Sequence, residues 1–160
     1  MQTQSPNFEV CELTIYDLEW FVEVAAINML TDELKRPELI NKDNLYRLAD
    51  LGVQMGTAFV VKKNGFNVGA LGALKVPNVY NPEITTLAEF FWYVLPEYRN
   101  TRAGLLLLKA FDKKAKEVAD EATLSTLPSS QLNVASLEKK GFSLQEFGFR
   151  KEYGEIEWPH

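Results

Sequence analysis

The spacing of apolar residues changes from helical to extended and back again along the chain, and this change most limits the folds available to it. Residues 57–94 hold three β-rich segments, and the first two meet at Asn64-Gly65, a pair that strongly favours a two-residue hairpin turn. The third segment, residues 84–94, is dense in aromatic side chains. Segments of helical spacing lie on both sides. The pattern therefore predicts three consecutive antiparallel strands with helices before and after them.

Capping residues and apolar periodicity predict the remaining elements. Thr14 and Asp17 resemble a capping box that starts a first helix, and Asn41 can cap a second helix that ends at Gly52. The other expected elements are, in chain order, a strand over residues 7–14, a long helix that follows the turn at residues 95–104, a strand over 122–127, a helix over 130–140 and closing strands over 142–147 and 149–156.

These elements predict an α/β (α+β mixed) fold of one domain over residues 1–160. The expected order is β-α-α-β-β-β-α-β-α-β-β. We expect a central mixed, mostly antiparallel sheet of about seven strands with helices on both faces. No internal repeat or linker-like segment indicates a domain boundary.

Charge and residue content exclude several classes of function. The formal net charge of −5 is not typical of a protein that binds nucleic acid through a broad basic face. The single cysteine, Cys11, and the single histidine, His160, exclude zinc sites built from these residues and internal Cys–His or Ser–His catalytic pairs. No apolar run is long enough to span a membrane, and the N-terminal residues lack the pattern of a signal peptide. We therefore expect a cytoplasmic protein without a metal.

The segment from Val94 to Leu108 is the strongest candidate for a functional site. A strand leads there into a tight turn with Arg99, Arg102 and Gly104, and a long helix begins at once. The first turn of a helix has unpaired backbone N–H groups and a partial positive charge, so it can bind phosphate where small residues let a ligand approach. The two arginines would add phosphate donors. An ordinary solvated junction with surface arginines fits the same pattern equally well.

The same segment resembles motif A of the GCN5-related N-acetyltransferase (GNAT) superfamily. That family has a hydrophobic strand, V-x-P, then (Q/R)-x-x-G-x-(G/A) and a leucine-rich helix. Arg99 matches the first position of the loop and Gly104 the last, whereas Arg102 stands where the family usually has its first glycine. The segment Lys140-Gly141-Phe142 is similar to the ending of the family's motif B. The expected element order agrees with the family over essentially the whole chain.

The resemblance implies that acetyl-CoA is the co-substrate and that coenzyme A binds along this segment. The pantetheine arm would lie between the strand that contains Val94 and the strand at 122–127, and would hydrogen-bond to the main chain near Val94. The family's pyrophosphate ligands correspond to the backbone amides of Arg99, Asn100, Thr101, Arg102, Ala103, Gly104 and Leu105. Asn133 and Ser136, on the following helix, are further candidate polar contacts.

Catalysis in this family is a direct transfer of the acyl group from the thioester to an amine. It requires removal of a proton from the ammonium, stabilisation of the oxyanion and protonation of the thiolate. The N–H of Val94 could serve the oxyanion. Glu89 is the candidate general base, since burial beside Phe90 and Phe91 would raise the pKa of its carboxyl. A Glu89 side chain that points to solvent on an alternating strand is the competing interpretation.

The general acid is harder to assign from the residues. The family's usual acid is a tyrosine four residues before the motif B glycine, and this chain has Leu137 there. Tyr93, Tyr153 and Ser136 are alternatives, each more typical of a structural role, and Tyr93 is the second candidate catalytic residue. Many relatives use solvent, because a thiolate is a tolerable leaving group.

The resemblance implies an N-acetyltransferase that acts on a primary amine of a small molecule, peptide or protein. In this family the first two helices and their loop bound the acceptor site, and residues 1–50 here hold ten acidic and four basic residues. An acidic lining from Glu19, Glu23, Asp32, Glu33 and Glu38 would favour a cationic amine, whereas a solvated helix face is the competing interpretation. The alternative is a weakly active or inactive domain of the same fold that binds coenzyme A or acts as a structural or interaction module. The closing strands and Trp158 offer surface for a homodimer. Neither nucleic acid nor membrane is expected as a partner.

Overall fold

A five-stranded sheet organises the part of the chain that the structure, a computed structural model, describes, namely residues 7–127 and 134–154. The order of the strands in the sheet is their order in the chain. Strands β1 to β4 pair antiparallel, and β5 pairs with β4 in parallel. The strands are β1 (Phe8–Glu12), β2 (Ala58–Lys63), β3 (Phe66–Pro77), β4 (Thr85–Val94) and β5 (Glu121–Thr123). The prediction of a mixed, mostly antiparallel sheet is confirmed.

The β2–β3 hairpin turns at the predicted residues. Asn64 and Gly65 have positive φ angles of 50° and 84°, as this type of two-residue turn requires. Gly65 adopts its angle without strain because it has no Cβ.

Four helices accompany the sheet in the described residues. Helix α1 begins with a 3-10 turn at Ile15–Asp17, has α geometry at Leu18–Trp20 and widens to π geometry at Phe21–Ala26 and Met29–Glu33. The others are α2 (Lys42–Met55), α3 (Ala103–Val118) and α4 (Val134–Glu138). Short 3-10 turns lie at Pro37–Leu39 and Pro96–Tyr98. No helix in residues 7–127 or 134–154 is long and apolar enough to cross a membrane.

Helix α1 starts at the predicted capping box. The Asp17 carboxylate accepts from the backbone N–H of Thr14 at 3.1 Å, and Thr14 Oγ1 accepts from the N–H of Tyr16 at 3.3 Å. Asp17 is buried. Burial acts to raise the pKa of Asp17, but hydrogen bonds from Thr14 and Asn67 and the charge of Lys62 together hold that pKa below its ordinary value.

The end of α2 differs from the prediction. The helix does not stop at Gly52 but continues to Met55, and Gly56 takes the left-handed conformation that ends it, with φ of 68°. Gly52 instead serves packing, because a Cβ at that position would lie 2.7 Å from the Cβ of Ala58.

Helices cover both faces of the sheet. Apolar residues of α1 and α2, among them Phe21 and Ala49, pack with Val60, Ala70 and Phe91 of the sheet in one buried cluster. Helix α3 packs against β2, β3 and β4 through a buried stripe that contains Leu107, Leu108, Phe111 and Ala115. The predicted arrangement of helices on both faces is confirmed.

The sheet has five strands in the described residues rather than the expected seven or so. Strand β5 ends at Thr123, so the predicted strand over 122–127 is too long. Residues 142–154 form no strand, so the closing strands are not observed there; residues 155 and 156 lie outside the described part. The alternation of apolar residues is compatible with strands, but a strand also needs a neighbour for its ladder of hydrogen bonds, and no described segment pairs with these residues.

The chain divides into two compact units, Met1–Ser125 and Thr126–His160. The first contains the sheet and helices α1 to α3. In the second, α4 is followed by a turn in which the N–H of Gly141 donates to the carbonyl of Glu138 at 3.0 Å, with a φ of 91° at Gly141. The predicted helix over 130–140 is thus stopped at the expected glycine, and residues 130–133 lie outside the described part.

Candidate functional site

Strand β4 carries one extra residue near its middle. Gly72 of β3 pairs with Phe91, but the next residue, Ala73, pairs with Glu89, so Phe90 has no partner on β3. A bulge of this kind bends the strand and increases its twist. Gly72 makes room for it, because a Cβ at that position would lie 2.7 Å from Cζ of the Phe90 ring.

An open edge of β4 follows the bulge. The ladder between β4 and β5 ends at the pair Ala88–Thr123, whereas β4 itself continues to Val94. The N–H of Leu95 donates to the carbonyl of Val68 at 2.8 Å, so these two residues form a hydrogen-bonded pair of the antiparallel ladder. Such pairs alternate with pairs that share no hydrogen bond, and the neighbouring pair, Gly69–Val94, is of the second kind. The N–H and C=O of Val94 therefore point away from β3, towards the side on which β5 has ended.

The turn between β4 and α3 is held by the side chain of Thr101. Its hydroxyl donates to the carbonyl of Tyr98 and accepts from the N–H of Ala103 at 3.3 Å. The first hydrogen bond into the helix runs from the N–H of Leu106 to the carbonyl of Arg102 at 3.0 Å. Thr101 thus satisfies one of the donors that every helix start leaves unpaired.

The next two donors are free. Within the described residues, the N–H groups of Gly104 and Leu105 have no hydrogen-bond acceptor. A Cβ at Gly104 would contact only Cγ2 of Val94, at 3.7 Å, so the backbone there is open to close approach. Two free N–H groups at the positive end of a helix form an anion site, and this site lies next to the open edge of β4. The residues present therefore fit a ligand that combines a pyrophosphate with an amide-containing arm.

The other two polar residues of the loop are exposed. Asn100 and Arg102 both lie at the surface, and the Arg102 guanidinium makes no ion pair within residues 7–127 and 134–154. Arg102 immediately precedes the first turn of α3. Its charge is therefore available to an anion at the helix start.

The side chain of Arg99 points elsewhere. Its Nε donates to the carbonyl of Val94 at 3.0 Å, and its Nη2 contacts Oε1 of Glu33 at 2.6 Å. The guanidinium also lies 5.4 Å from the centroid of the Tyr93 ring. Three partners from β4 and α1 thus engage the arginine that the sequence interpretation treats as a phosphate donor.

Two of these partners have shifted pKa values. Burial raises the pKa of Glu33, and the Arg99 charge opposes that shift. Burial likewise raises the pKa of Tyr93, again against the charge of Arg99. Tyr93 belongs to the buried core cluster, so its phenol keeps its proton at neutral pH.

Glu89 lies where β4 and β5 separate. Its Oε1 accepts from the backbone N–H of Ser125 at 3.1 Å, just beyond the last ladder pair, Ala88–Thr123. Burial raises the pKa of Glu89 from 4.5 to about 7, although the hydrogen bond from Ser125 acts in the opposite direction. A half-buried carboxylate with this pKa can take up a proton near neutrality.

The candidates on the helix after β5 are only partly described. Ser136 lies in α4 and is half-buried, and so is Leu137, which stands at the position of the usual general acid. Asn133 and Trp158 lie outside the described residues.

The acidic residues expected around the acceptor are divided between paired and exposed side chains. Glu33 contacts Arg99, Glu38 contacts Arg36, and Glu23 contacts Lys42 and the hydroxyl of Tyr46. Glu19 and Asp32 are exposed. In the described part of the chain, no group of three or more His, Cys, Asp or Glu side chains could hold a metal ion.

Sequence reasoning missed two features of the site. The ion pair between Glu33 and Arg99 joins residues that are far apart in the chain, and no local sequence pattern predicts it. The bulge had a signal, namely Gly72 opposite a run of aromatic residues on the next strand, because a glycine inside a strand often marks a bulge or a close approach.

A family model and solved structures are similar to this chain. The model described as the acetyltransferase (GNAT) family matches residues 15–142. A search of curated proteins found no significant match. Among solved structures, a predicted acetyltransferase with acetyl-CoA from Clostridium acetobutylicum has a TM-score of 0.70 and 15% identity, covering 91% of this chain and 95% of that chain.

Two further structures show the same fold. An aminoglycoside acetyltransferase from an uncultured soil metagenomic sample, in complex with sisomicin, has a TM-score of 0.67 and 15% identity, covering 92% of this chain and 95% of that chain. Glucosamine-6-phosphate N-acetyltransferase from Arabidopsis thaliana has the same score and identity, covering 92% of this chain and 99% of that chain.

Proposed function

Because the chain belongs to the acetyltransferase (GNAT) family, we propose that it transfers an acetyl group from acetyl-CoA to a primary amine. The observation that carries the proposal is the pair of free N–H groups at Gly104 and Leu105 beside the open edge of β4. The family match covers residues 15–142, and one domain over residues 1–160 stays part of the proposal.

Coenzyme A would bind along this edge. The N–H groups of Gly104 and Leu105 would donate to its pyrophosphate, and the exposed Arg102 would add a charge. The main chain near Val94 would bond the pantetheine arm as a further strand does. Acetyl-CoA bound to a neighbour of the same fold supports this choice of co-substrate. Asn133 and Ser136 stay candidate contacts.

The chain's own residues would supply two of the three steps. Glu89 would accept the proton that the acceptor ammonium loses, directly or through one water, and its pKa of about 7 suits that task. The N–H of Val94 would donate to the thioester oxygen while the amine nitrogen attacks the carbonyl carbon and the carbon–sulfur bond breaks. Solvent or the phenol of Tyr93 would return a proton to the leaving sulfur. The products are an amide and the free thiol.

The acceptor would be a cationic amine. Glu19 and Asp32 are exposed on α1 and lack a partner among the described residues, so both are free to attract a positive charge. The neighbours named for aminoglycosides and for glucosamine-6-phosphate agree with an amine acceptor but do not identify one.

Calorimetry with acetyl-CoA tests the binding site. Gly104→Glu should abolish binding, since its side chain would fill the open space beside two N–H groups and its charge would repel the pyrophosphate. Gly148→Glu is the matched control, because a Cβ there has nothing within 4 Å and the residue has no positive φ. Equal affinity of the Gly104 variant and wild type would place the cofactor elsewhere.

The competing function is a module that binds coenzyme A without turnover. The hydrogen bond between Ser125 and Glu89 favours it, since a carboxylate that ties β4 to the segment after β5 can be purely structural. Release of free thiol from acetyl-CoA with a panel of polyamines, aminosugars and lysine peptides separates the two functions. Thiol above background contradicts the module, and binding without any thiol release contradicts the enzyme.

A further inference from the structure

We propose that Arg99 and Glu33 form a positioning pair that holds residue 94 at the open edge of β4 and so couples helix α1 to the acyl-transfer site. The proposed role in catalysis rests on the acetyltransferase function proposed above. The contacts of Arg99, Glu33, Tyr93 and Val94 carry the inference.

Arg99 makes three contacts that fix its plane. Nε donates to the Val94 carbonyl, Nη2 contacts the Glu33 carboxylate, and the guanidinium carbon lies 5.4 Å from the centroid of the Tyr93 ring. A guanidinium has several N–H donors in a rigid fork, so it can hold a carbonyl and a carboxylate at the same time. An ammonium on a flexible chain would hold one or the other.

The carbonyl that Arg99 holds belongs to the residue whose N–H would meet the thioester oxygen. In a strand, the N–H and C=O of one residue point to the same side, and those of Val94 point away from β3. On the side away from β3, the strand has no ladder partner at this position among the described residues, so β5 does not fix the direction of these groups. Arg99 fixes their direction instead, through its hydrogen bond to the Val94 carbonyl.

Glu33 determines where Arg99 points. Its carboxylate is less than a quarter exposed, and an ion pair at that depth loses more on separation than one at the surface. Glu33 lies in the second π segment of α1, where the N–H of Leu34 donates to the carbonyl of Met29 at 2.9 Å. The wider π turn changes the direction in which the later residues of the segment, Glu33 among them, leave the helix axis. Such turns are frequent at functional positions. Helix α1 and β4 thus meet through one arginine.

This arrangement separates the tasks of the two arginines of the loop. Arg102 is exposed beside the free N–H groups and suits the phosphates, whereas Arg99 is already neutralised by a carboxylate at 2.6 Å. Removal of Arg99 should therefore act on the rate of acyl transfer and not on the affinity for coenzyme A.

Five variants test the pair: Arg99→Ala, Glu33→Ala, the double variant, Arg99→Lys, which keeps the charge but lacks the fork, and Glu33→Gln. The two alanine variants should lower kcat about tenfold, with the KM for acetyl-CoA changed less than about twofold, because a small displacement of a catalytic donor costs rate. The double variant should be no slower than either single one. The kcat of Arg99→Lys should be as low as that of the alanine variants. Glu33→Gln should keep most of the wild-type kcat, because it retains a hydrogen-bond acceptor.

A readout without turnover makes the test independent of the proposed function. The amide signal of Val94 in a proton–nitrogen NMR spectrum of the free protein should move in the Arg99 and Glu33 variants and stay in place in Asp112→Ala, which removes an exposed ion pair with Lys116 on α3. An unmoved Val94 signal overturns the pair even if the enzyme is active. A shifted signal in a protein that releases no thiol supports the pair and refutes only the acetyltransferase function.

Calorimetry with coenzyme A decides whether Arg99 is a positioning residue or a phosphate ligand. If Arg99→Ala raises the Kd about tenfold while Glu33→Ala leaves it unchanged, Arg99 is a phosphate ligand and the positioning role is wrong. Equal affinities of the two variants and wild type agree with the proposal.

Discussion

The carboxyl of Glu89 should make the free energy of unfolding depend on pH, and the substitution Glu89→Gln should remove this dependence. Its pKa in the folded chain is about 7, against an ordinary value of 4.5. The folded state therefore holds the Glu89 proton over a range where the unfolded chain has lost it. Stability contributed by this group is full below pH 4.5 and falls as the pH rises to about 7.

The size of the effect follows from the difference between the two pKa values. Each pKa unit corresponds to about 1.4 kcal/mol, so ionisation of Glu89 should cost the folded state about 3 kcal/mol at pH 8. Glu89→Gln keeps an oxygen that accepts from the Ser125 N–H but cannot ionise. The variant should gain about 3 kcal/mol relative to wild type between pH 4.5 and pH 8.

Urea unfolding of both proteins at four pH values between 4.5 and 8.5 measures this difference. Glu97→Gln, at an exposed position, controls for the loss of one negative charge. The difference in unfolding free energy between Glu89→Gln and wild type should rise across the range, most steeply between pH 5 and 7. A difference that stays constant within about 0.5 kcal/mol would refute the burial of an ionisable Glu89.

Three further outcomes follow from the same structure. The rate constant kcat/KM should rise with pH through about 7 in wild type, as Glu89 loses its proton, and this limb should be absent in Glu89→Gln. Asp17→Ala should cost about 2 kcal/mol at pH 7, because it removes a buried carboxylate that caps the start of α1, and the cost should shrink as the pH falls below 3.8. Gly72→Ala should lower the unfolding free energy by about 1–3 kcal/mol, since its Cβ would overlap the Phe90 ring, whereas the double variant with Phe90→Ala should recover part of that loss.

Local features of the fold could be predicted from the sequence because short-range physics determines them. The hairpin at Asn64-Gly65 depends on two residues that tolerate positive φ, and the start of α1 depends on Thr14 and Asp17 three positions apart. The junction between β4 and α3 was predicted in the same way, from the small residues and arginines of a single segment. Each of these signals lies within a few residues.

Features that depend on distant neighbours were not predicted correctly. The ladder between β4 and β5 ends at Ala88, shortly before the bulge at Phe90, and the space for that bulge comes from Gly72 on another strand. The contacts of the Arg99 side chain with Glu33 on α1 and Val94 on β4 were not predicted at all, and its role towards phosphate stays untested. Neither the spacing of apolar residues nor a motif contains information about these contacts.

The bulge in β4 makes the number of residues in the strand, and not only their identity, a determinant of the site. Deletion of Phe90 would restore a continuous ladder in which Glu89 and Phe91 keep their partners Ala73 and Gly72, but the bend and the extra twist that the bulge gives to the strand would be lost. Glu89 and the open edge up to Val94 would then no longer hold their present relation, although every other side chain of the site would still be there. Deletion and compensating insertion of one residue in β4 would reveal this dependence, whereas substitutions alone would not.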